Sequence, residues 1–516
     1  MPNLLKDIFS VALSPHDQNT YDGVLHRQME RYTRLKHNVP RYVDVYPLQS
    51  ELIAMNQEDS EQMHNFYNEY WHPDKHEIFA FTTTVGGMNL LPQDHDVNSE
   101  FLDFKPQKLW DYKMIDNIYY IDHHQSHAAY AYLTSGFEES DILAIDGRGW
   151  HYNCIFIDKK GIITDLSDKM NIGTLWNYFA KELGFGHLGA GKLMGLAGYG
   201  KESDVLYLQI LNYMDTGHFF RPEEFLESHY PYPSIEVMTL MGRLRPEEVA
   251  ATLQQATIDR INDLIIPLKS CDNICVAGGV AYNGYMNEEL TKHYKEVHVP
   301  PAPGDEGQSL GTYMHADYTL NKNIHQLSVY SGDEYVYNGT EKVDLKEVAQ
   351  AIADGSLVGW YQGKSESGNR ALGNRSILAD PRNPEIKDMI NFFVKQREDF
   401  RPFAPTVLEE HYQEYFDTTQ PSPYMSRIMP VKSDKIPGVT HVDGTARIQT
   451  LNREQNPRYY DLINEFYKIT GIPMVLNTSF NCKEPIVETP EDAIRTFKRT
   501  DLDLLIINDY IVRKVG

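Results

Sequence analysis

The chain has 516 residues, of which 41% are hydrophobic and 23% are charged, and its formal net charge is −25. This composition is typical of a soluble globular protein, and the length exceeds one ordinary core, so we expect at least two domains. We expect no membrane segment, because no apolar run approaches the roughly 18 residues that a spanning helix needs. The amino-terminal residues lack the apolar segment and cleavage site of a secretory signal.

Cysteine content and charge distribution narrow the class further. Four cysteines, Cys154, Cys271, Cys275 and Cys482, are too few for a disulfide framework, so we expect a reducing, cytoplasmic compartment. Residues 331–516 carry 23 Lys+Arg against 28 Asp+Glu, whereas the rest of the chain carries 25 against 45. The strongly acidic amino-terminal part has no electrostatic footprint for nucleic acid, so an anionic small substrate is better placed in the carboxy-terminal part.

Strand and helix patterns alternate in the first part of the chain. Asp141–Ile145 is a short apolar run that predicts a buried strand, and Asn153–Ile157 and Gly161–Asp165 predict a hairpin after it. Glu248–Lys269 has apolar residues at helical spacing. This alternation favours an α/β fold.

Two glycine-rich places in this part could surround a nucleotide. Asn273–Ala277 predicts a strand that runs through Gly278 and Gly279 into a helix starting near Asn283, which is a geometry suited to phosphate. Gly184–Lys201 is also rich in glycine, but it does not match a P-loop, and it could equally be a mobile loop.

A change in pattern over Asn321–Thr340 predicts the boundary between domains covering residues 1–330 and 331–516. The second domain has short apolar runs that predict strands and longer amphipathic segments that predict helices. The predicted strands are Ser356–Tyr361, Met474–Leu476 and Leu504–Ile507, and the predicted helices are Pro384–Val394, Pro457–Ile469 and Thr489–Lys498.

The segment HHQSH at residues 123–127 is the best candidate for metal binding. On a helix, His123 and His127 are four residues apart and face the same side. Asp146, after a predicted strand, and Asp305, in an acidic turn, are candidate third and fourth ligands, although a single Asp at such a place is more often a turn or helix cap. Two histidines and two carboxylates suit iron or manganese.

The stretch Glu366–Arg382, ESGNRALGNRSILADPR, is the best candidate for anion binding. It combines Arg370 and Arg375 with glycine and asparagine, which allow sharp turns close to a ligand. Its alternative interpretation is a solvated basic loop.

Further polar groups lie at predicted loops near the carboxy terminus. Arg401 and Arg447 could converge with the two arginines of that stretch on phosphates. Asn477 and Ser479 would supply uncharged donors and acceptors.

These segments, in this order, resemble the O-carbamoyltransferase family, which includes the nodulation-factor, cephalosporin and tobramycin carbamoyltransferases. The matching blocks are ERYTRLKH, HHQSHAAYA, GAGKLMGLAGYG, GGVAYNG, PAPGDEGQSLG, SESGNRALGNRSILADPR, FRPFAP, HVDGTAR and LNTSFN with EPIVETPEDA. The resemblance implies an α/β protein of two domains. The first would be an actin/Hsp70-like, threonylcarbamoyl-transferase-like domain, and the second an α/β domain similar to threonylcarbamoyl-adenylate synthase.

The resemblance also implies a reaction. Carbamoyl phosphate would be cleaved to carbamate in the second domain, and carbamate would attack the α-phosphate of Mg²⁺-bound ATP to give carbamoyl-adenylate and pyrophosphate. The first domain would then transfer the carbamoyl group to an acceptor hydroxyl.

The residues that match the family's functional positions fall into three groups. The family's ligands of Fe²⁺, with Mn²⁺ as the alternative, are matched by His123, His127, Asp146 and Asp305. Lys36 and His16 match positions beside the carbamoyl group and the acceptor, where His16 could be the general base. Arg370, Arg401 and Arg447 match arginines that bind carbamoyl phosphate and ATP. The remaining candidate nucleotide contacts are Arg375, Asn477, Ser479, Gly278, Gly279 and Asn283.

Two departures from the family pattern bear on function. Ser367 and Asn369 replace an apolar residue and a proline, and only 13 residues separate Asp17 from Arg31, where the family fits a strand hairpin. The shortened segment leaves the acceptor open between a sugar or antibiotic hydroxyl and a hydroxymethyl-pyrimidine, as a nucleotide or in DNA.

Two other functions remain possible from the sequence. One is tRNA threonylcarbamoyl transfer, although its two activities normally reside in separate chains. The other is a nucleotide-binding regulator without catalysis. The resemblance further implies a monomer or homodimer.

Overall fold

The computed structural model describes residues 8–13, 78–83, 113–115, 118–147, 152–186, 189–215, 239–322, 324 and 328–514. Contacts divide the chain into two compact units, the first holding the described residues up to 324 and the second those from 328 onward. Both combine helices with sheets, so the α/β class is confirmed, while the more detailed fold of each unit stays a prediction. Within the described ranges, no helix is long and apolar enough to cross a membrane.

The first unit has the following elements. Its strands are β1 (Ile8–Leu13), β2 (Ile78–Thr83), β3 (Lys113–Ile115), β4 (Ile118–Tyr120), β5 (Asp141–Ile145), β6 (Cys154–Ile157), β7 (Ile163–Asp165), β8 (Asn273–Ala277) and β9 (Glu296–His298). Its α-helices are α1 (His123–Ser135), α2 (Ile172–Glu182), α3 (Ala190–Ala197), α4 (Asp204–Asp215), α5 (Pro246–Arg260), α6 (Gly284–Leu290) and α7 (Gln308–Asn321).

Two sheets of the first unit enclose a pair of packed helices. One sheet has the order β1-β2-β4-β3 and the other the order β7-β6-β5-β8-β9, in which β5 and β8 are parallel neighbours. Helix α7 packs on α1 and contacts β1 and β2, while α1 contacts β5 and β8. The carboxyl end of β5 therefore lies close to the start of α1.

The second unit has its own set of elements. Its strands are β10 (Val358–Tyr361), β11 (Arg375–Ala379), β12 (Ala404–Leu408), β13 (Ile428–Pro430), β14 (Thr445–Arg447), β15 (Gln449–Leu451), β16 (Met474–Ser479), β17 (Leu504–Ile507) and β18 (Tyr510–Val512). Its α-helices are α8 (Leu345–Ala353), α9 (Ile386–Met389), α10 (Tyr412–Tyr415), α11 (Pro457–Thr470) and α12 (Pro490–Arg499).

A mixed seven-stranded sheet in the order β15-β12-β16-β11-β10-β17-β18 forms the centre of the second unit. Buried residues of this sheet, such as Trp360, Leu378 and Leu476, join residues of α8 and α11 in one hydrophobic core. Burial of so many apolar side chains drives formation of the sheet. Candidate ligand-binding residues of this unit lie in the strands β11, β14 and β16 and in the connections that follow β10 and β11.

The sequence patterns and the structure agree best on short buried strands. Asp141–Ile145, Asn273–Ala277 and Leu504–Ile507 form strands with the predicted bounds. The predicted helix over Glu248–Lys269 starts at Pro246 and continues beyond Arg260 as a π-helix and a 3-10 turn.

The glycine-rich segment Gly184–Lys201 differs from the expected loop. Its central part is helix α3, because Leu193 and Leu196 are three residues apart and bury on one face. A Cβ atom at Gly200 would lie 1.9 Å from the carbonyl oxygen of Glu247, so this glycine permits close packing against the start of α5. Part of its glycine content thus serves packing.

Candidate functional site

Helix α1 presents two histidines on one buried face. Asp122 caps the helix, since its Oδ1 atom accepts hydrogen bonds from the backbone N–H groups of His124 (2.9 Å) and Gln125 (3.2 Å). His123 and His127 are each 1% exposed. Because they are four residues apart, both rings project from the same side of α1.

Two aspartates from other elements meet these histidines. Asp146 follows the last residue of β5, and Asp305 begins the 3-10 turn before α7. The Oδ2 atom of Asp146 lies 3.2 Å from Nε2 of His123 and 3.0 Å from Nε2 of His127. The Oδ1 atom of Asp305 lies 3.3 Å and 3.4 Å from the same two nitrogens. We call these four residues the histidine–aspartate cluster.

The cluster is electrostatically suited to a cation. Burial lowers the pKa of His123, but Asp305 and Asp146 outweigh it and raise that pKa to about 10. The pKa of His127 is also raised. Burial and the charge of Asp305 raise the pKa of Asp146, but hydrogen bonds from the two histidines outweigh them and hold that pKa below its usual range. Two buried carboxylates therefore require compensating positive charge, which protons or a bound divalent ion can supply.

The donor set fits a metal ion. One ligand atom from each of the four residues lies within 4.8 Å of all the others, and all four residues are buried. The backbone N–H of Gly147 orients one donor by donating to Oδ1 of Asp146 (2.5 Å), and Nε2 of Gln308 holds the start of α1 by donating to the backbone carbonyl of His123 (3.1 Å). Two imidazoles and two carboxylates match the preference of iron or manganese; the ion itself stays a prediction.

The predicted glycine turn lies next to this cluster. Gly278 has φ = 92°, and a Cβ atom there would lie 2.0 Å from the carbonyl oxygen of Ile145. A Cβ atom at Gly279 would lie 2.9 Å from Oδ1 of Asp146. Both glycines therefore keep the backbone close to the end of β5, and Gly279 leaves space beside a ligand carboxylate.

Asn283 is engaged within the protein. Its Oδ1 atom accepts the backbone N–H of Met286 (3.1 Å) and caps α6. Its side-chain amide also exchanges two hydrogen bonds with that of Gln254, at 3.2 Å and 3.0 Å. Asn283 therefore links α5 to α6, and the nucleotide contact predicted for it stays a prediction.

Two residues beside the cluster were missed from the sequence. His124 is buried next to His123 and His127, and burial together with the His123 charge lowers its pKa to about 3. Burial raises the pKa of Glu306 to about 7. The doubled histidine and the paired acids of GDEG were the signals, but neither position had the helical spacing that singled out His123 and His127.

In the second unit, Arg370 and Arg375 have different environments. Arg370 is partly buried in the loop between β10 and β11. Arg375 is 0% exposed, stacks 3.7 Å from the centroid of the Tyr361 ring, and donates to four carbonyls and a hydroxyl. Its acceptors are the carbonyls of Gln362, Gly363, Asn374 and Glu488 and the hydroxyl of Tyr361. All five N–H groups are used within the protein, so Arg375 has a structural role, and the ligand contact predicted for it stays a prediction.

Two cations that the sequence patterns did not single out, Lys395 and Arg397, lie with the predicted Arg401 at and after the end of the π-helix Ile390–Lys395. Lys395 is 2% exposed, and its ammonium donates to the carbonyl and Oγ of Ser479 and to Oδ1 of Asn481 (2.7 Å). Burial lowers the pKa of Lys395, and the charges of Arg397 and Arg401 lower it further. We call Lys395, Arg397 and Arg401 the lysine–arginine cluster.

Contacts around this cluster hold its members together. Asn391 donates to the carbonyl of Arg401 (3.0 Å) and accepts from Nε of Arg397 (2.8 Å), whose guanidinium lies 4.8 Å from the ring centroid of Phe403. Burial and the Arg401 charge lower the pKa of Arg397. Arg401 also pairs with Glu398 (3.5 Å), which offsets part of the repulsion among the three cations, and an anion would relieve the rest. The signal was the segment KQR, two residues before FRPFAP.

The remaining predicted residues are distributed as follows. Ser479 belongs to the surroundings of the lysine–arginine cluster. Asn477 is buried, and its Nδ2 atom donates to the carbonyl of Ala371 and to Thr406, so it anchors the arginine loop to the sheet. Arg447 is partly buried in β14, where its charge contributes to lowering the pKa of His441. The predicted residues His16 and Lys36 lie outside the described part of the chain.

Two family models match the chain. The model described as "Carbamoyltransferase N-terminus" matches residues 22–314, and the one described as "Carbamoyltransferase C-terminus" matches residues 349–514. Every described residue of both clusters lies within these matches.

Several curated proteins are similar over much of the chain. "Nodulation protein NolNO" of Sinorhizobium fredii is 37% identical over 77% of this chain, and the match covers 64% of that protein, just under two thirds of its length. An uncharacterised protein of Methanocaldococcus jannaschii is 29% identical over 99% of this chain and 91% of its own. A "3'-hydroxymethylcephem-O-carbamoyltransferase" of Streptomyces clavuligerus is 30% identical over 63% of this chain and 65% of its own.

One solved structure aligns with part of the chain. The full-length HypF structure in its phosphate- and nucleotide-bound form aligns with 35% of this chain and 23% of its own at 20% identity. Its TM-score is 0.24, which carries no argument about fold or function.

Proposed function

The chain belongs to the carbamoyltransferase family, and on that premise we propose that it transfers a carbamoyl group from carbamoyl phosphate to an acceptor hydroxyl, with ATP consumed through a carbamoyl-adenylate. The family match confirms the resemblance and the enzyme class predicted from the sequence. The donor, the intermediate, the acceptor and the metal are part of the proposal.

The observation that carries the proposal is the lysine–arginine cluster in the second unit. Glu398, 3.5 Å from Arg401, compensates part of the charge of this group, in which Lys395 is 2% exposed, and a negatively charged ligand would compensate the remainder. Phosphate groups of carbamoyl phosphate and ATP have the matching charge and can accept several N–H donors at once. The hydroxyl of Ser479 accepts from the Lys395 ammonium (3.1 Å) and donates to Oδ1 of Asn481 (2.9 Å), so it holds the ammonium in place beside the site.

In the second unit, the proposed residues bind and orient anions. Arg370, which matches an anion-binding arginine of the family, and the lysine–arginine cluster hold the phosphate of carbamoyl phosphate while water cleaves it to carbamate and inorganic phosphate. A carbamate oxygen then attacks the α-phosphorus of ATP, the bond to the β-phosphate oxygen breaks, and pyrophosphate leaves. Positive charge around these oxygens stabilises the charge that develops in the transition state.

In the first unit, the histidine–aspartate cluster is the proposed transfer site. His123, His127, Asp146 and Asp305 would hold Fe²⁺ or Mn²⁺, which supplies Lewis-acid polarisation of the carbamoyl carbonyl or the phosphate. The acceptor hydroxyl attacks the carbamoyl carbon, loses its proton to a general base and releases AMP. His16, predicted for that base, lies outside the described residues, so this role rests on the resemblance alone.

For the acceptor, we propose a small-molecule hydroxyl. The name of the Streptomyces clavuligerus relative describes carbamoylation of a hydroxymethyl group on a small molecule. Residues 1–330 carry far more acidic than basic residues, which opposes tight binding of duplex DNA. A free hydroxymethyl-pyrimidine nucleotide remains within the same chemistry, since it also offers a primary hydroxyl.

The test uses labelled carbamoyl phosphate and ATP with the full chain, Mg²⁺ and either Fe²⁺ or Mn²⁺. We expect AMP and pyrophosphate to form only when carbamoyl phosphate is present. A mass-spectrometric screen for a gain of one carbamoyl group then identifies the acceptor among sugars, antibiotics and nucleotides. Binding of ATP without any AMP would instead favour the regulator, and use of threonine with bicarbonate would favour the tRNA-type reaction.

A further inference from the structure

The loop from Glu366 to Arg375, which carries Arg370, is gathered around one buried carboxylate. The Oε1 atom of Glu366 accepts hydrogen bonds from the backbone N–H groups of Leu372 (2.8 Å), Asn374 (2.9 Å) and Arg375 (3.1 Å). Glu366 itself is 2% exposed. Charge-assisted bonds to backbone N–H groups are among the stronger hydrogen bonds in proteins, so this carboxylate sets the path of the loop.

The backbone on either side of Arg370 contains residues that permit conformational freedom. Gly368 and Gly373 have φ values of 88° and 109°, in the left-handed region that glycine adopts most readily. Asn369, immediately before Arg370, is exposed to solvent. By contrast, the far end of the loop is fixed by Arg375 and by the packing of Gly373 against the ring of Tyr459.

A side chain this deeply buried could serve the fold alone, but its position favours a role in ligand binding. Glu366 closes the loop from β10 to β11 over six to nine residues, and Arg370 lies inside the closed turn. An arginine on a glycine-flanked turn loses conformational entropy when it binds an anion. Closing the turn in advance removes part of that cost, which raises affinity without any contact to the ligand.

We propose that Glu366 is a positioning residue that pre-organises Arg370 for carbamoyl phosphate. This inference rests on the proposed function and deepens it, because it assigns the affinity of the donor site partly to a residue that does not touch the ligand. The positioning role also explains why a loop that is expected to bind an anion contains an acidic side chain. The Oε1 atom of Glu366 accepts its three described hydrogen bonds from backbone N–H groups of the loop itself.

The test measures carbamoyl phosphate affinity by titration calorimetry for the full-length wild type, Glu366→Ala and Glu366→Gln. We expect Glu366→Ala to weaken binding about tenfold or more, equivalent to about 1.4 kcal/mol. Glu366→Gln keeps a carbonyl oxygen that accepts the same N–H groups, so we expect a loss below about threefold. Glu366→Asp, which keeps the charge but is one methylene shorter, replaces Glu366→Ala if the latter does not fold, and we expect an intermediate loss.

A double-mutant cycle separates positioning from general destabilisation. If Glu366 acts through Arg370, then Glu366→Ala has little further effect on affinity in an Arg370→Ala background. The matched control is Asp503→Asn, because Oδ2 of Asp503 accepts the backbone N–H of Leu357 (2.7 Å) at the opposite end of β10. We expect this control to lower thermal stability and to leave affinity unchanged.

The outcomes are distinguishable. Unchanged affinity in Glu366→Ala, or fully additive effects of the two substitutions, overturns the positioning role while leaving the proposed function intact. A wild-type protein that binds no carbamoyl phosphate overturns the proposed function and this inference with it.

Discussion

Replacing Asp146 with Asn tests whether the histidine–aspartate cluster is a metal site. The substitution keeps the size of the side chain and removes its negative charge. In the structure, one oxygen of Asp146 lies within 3.2 Å of both imidazole nitrogens, and the other accepts the backbone N–H of Gly147. The amide can preserve the second contact, so the main change is the loss of a charged ligand.

The expected magnitude follows from the role of this carboxylate. Changes to outer-shell partners of a metal site commonly cost about 10–100-fold in affinity. Asp146 is a candidate ligand itself and is shared by both histidines, so we expect a loss of at least about 100-fold, or about 2.7 kcal/mol. In the metal-free wild type, the pKa of His123, raised from 6.5 to about 10, adds stability that is full below pH 6.5 and disappears as the pH rises through about 10. The variant should lose much of this dependence.

The assay is competition with a chromophoric chelator for Fe²⁺ and Mn²⁺, combined with the metal content of the purified protein. Asp141→Asn is the matched control, because Asp141 is also buried at the other end of β5 and holds Ser270 and Tyr294 through hydrogen bonds. We expect this control to be less stable and to keep its metal. Equal metal affinity in wild type and Asp146→Asn would refute the assignment of the cluster.

Three further predictions concern the second unit. Lys395→Met keeps a long apolar stem but removes the ammonium, so we expect KM for carbamoyl phosphate to rise about 10–100-fold, from the loss of a charge-assisted hydrogen bond; an unchanged KM in steady-state AMP release would contradict the anion site. Burial and the charges of Arg397 and Arg401 lower the pKa of Lys395, and a bound anion must raise it again, so binding of carbamoyl phosphate should take up protons at pH values between the free and bound pKa. Calorimetry in two buffers of different ionisation enthalpy measures this uptake, and proton release would contradict it. Arg375→Met should reduce the free energy of unfolding by about 3 kcal/mol in urea titration, because it leaves buried carbonyls without donors; a fully stable variant would show that the network is dispensable.

Local sequence patterns predicted the fold where one physical effect dominated. Asp141–Ile145 and Leu504–Ile507 are short, apolar and buried, so their runs of hydrophobic residues identified them as strands. The sequence did not predict β11, because Arg375 and Ser376 at its start resemble residues of a polar loop. They form part of a strand because β11 is buried in the core of the second unit. Tertiary packing overrides local composition at such places.

The sequence likewise predicted some residues of the candidate site and missed others. The spacing of His123 and His127 on a helix follows from the chain alone, whereas the approach of Asp305 depends on how α7 packs on α1. Arg375 was predicted to bind a ligand because an arginine in a glycine-rich stretch resembles an anion site. The use of all its N–H groups by four carbonyls and the Tyr361 hydroxyl is visible only in three dimensions. Lys395 was missed because nothing in the sequence indicates that it lies beside Ser479, 84 residues away.

The central claim is that the second unit forms the adenylate and the first unit transfers the carbamoyl group. Measuring both half-reactions in variants of His127 and Arg401 tests it most directly. Labelled ATP and carbamoyl phosphate are incubated with His127→Ala and with Arg401→Ala, and both AMP release and acceptor carbamoylation are measured. The account predicts that His127→Ala still forms the adenylate from both substrates but fails to carbamoylate the acceptor, whereas Arg401→Ala forms no adenylate. Full acceptor carbamoylation by His127→Ala, or normal adenylate formation by Arg401→Ala, would contradict it.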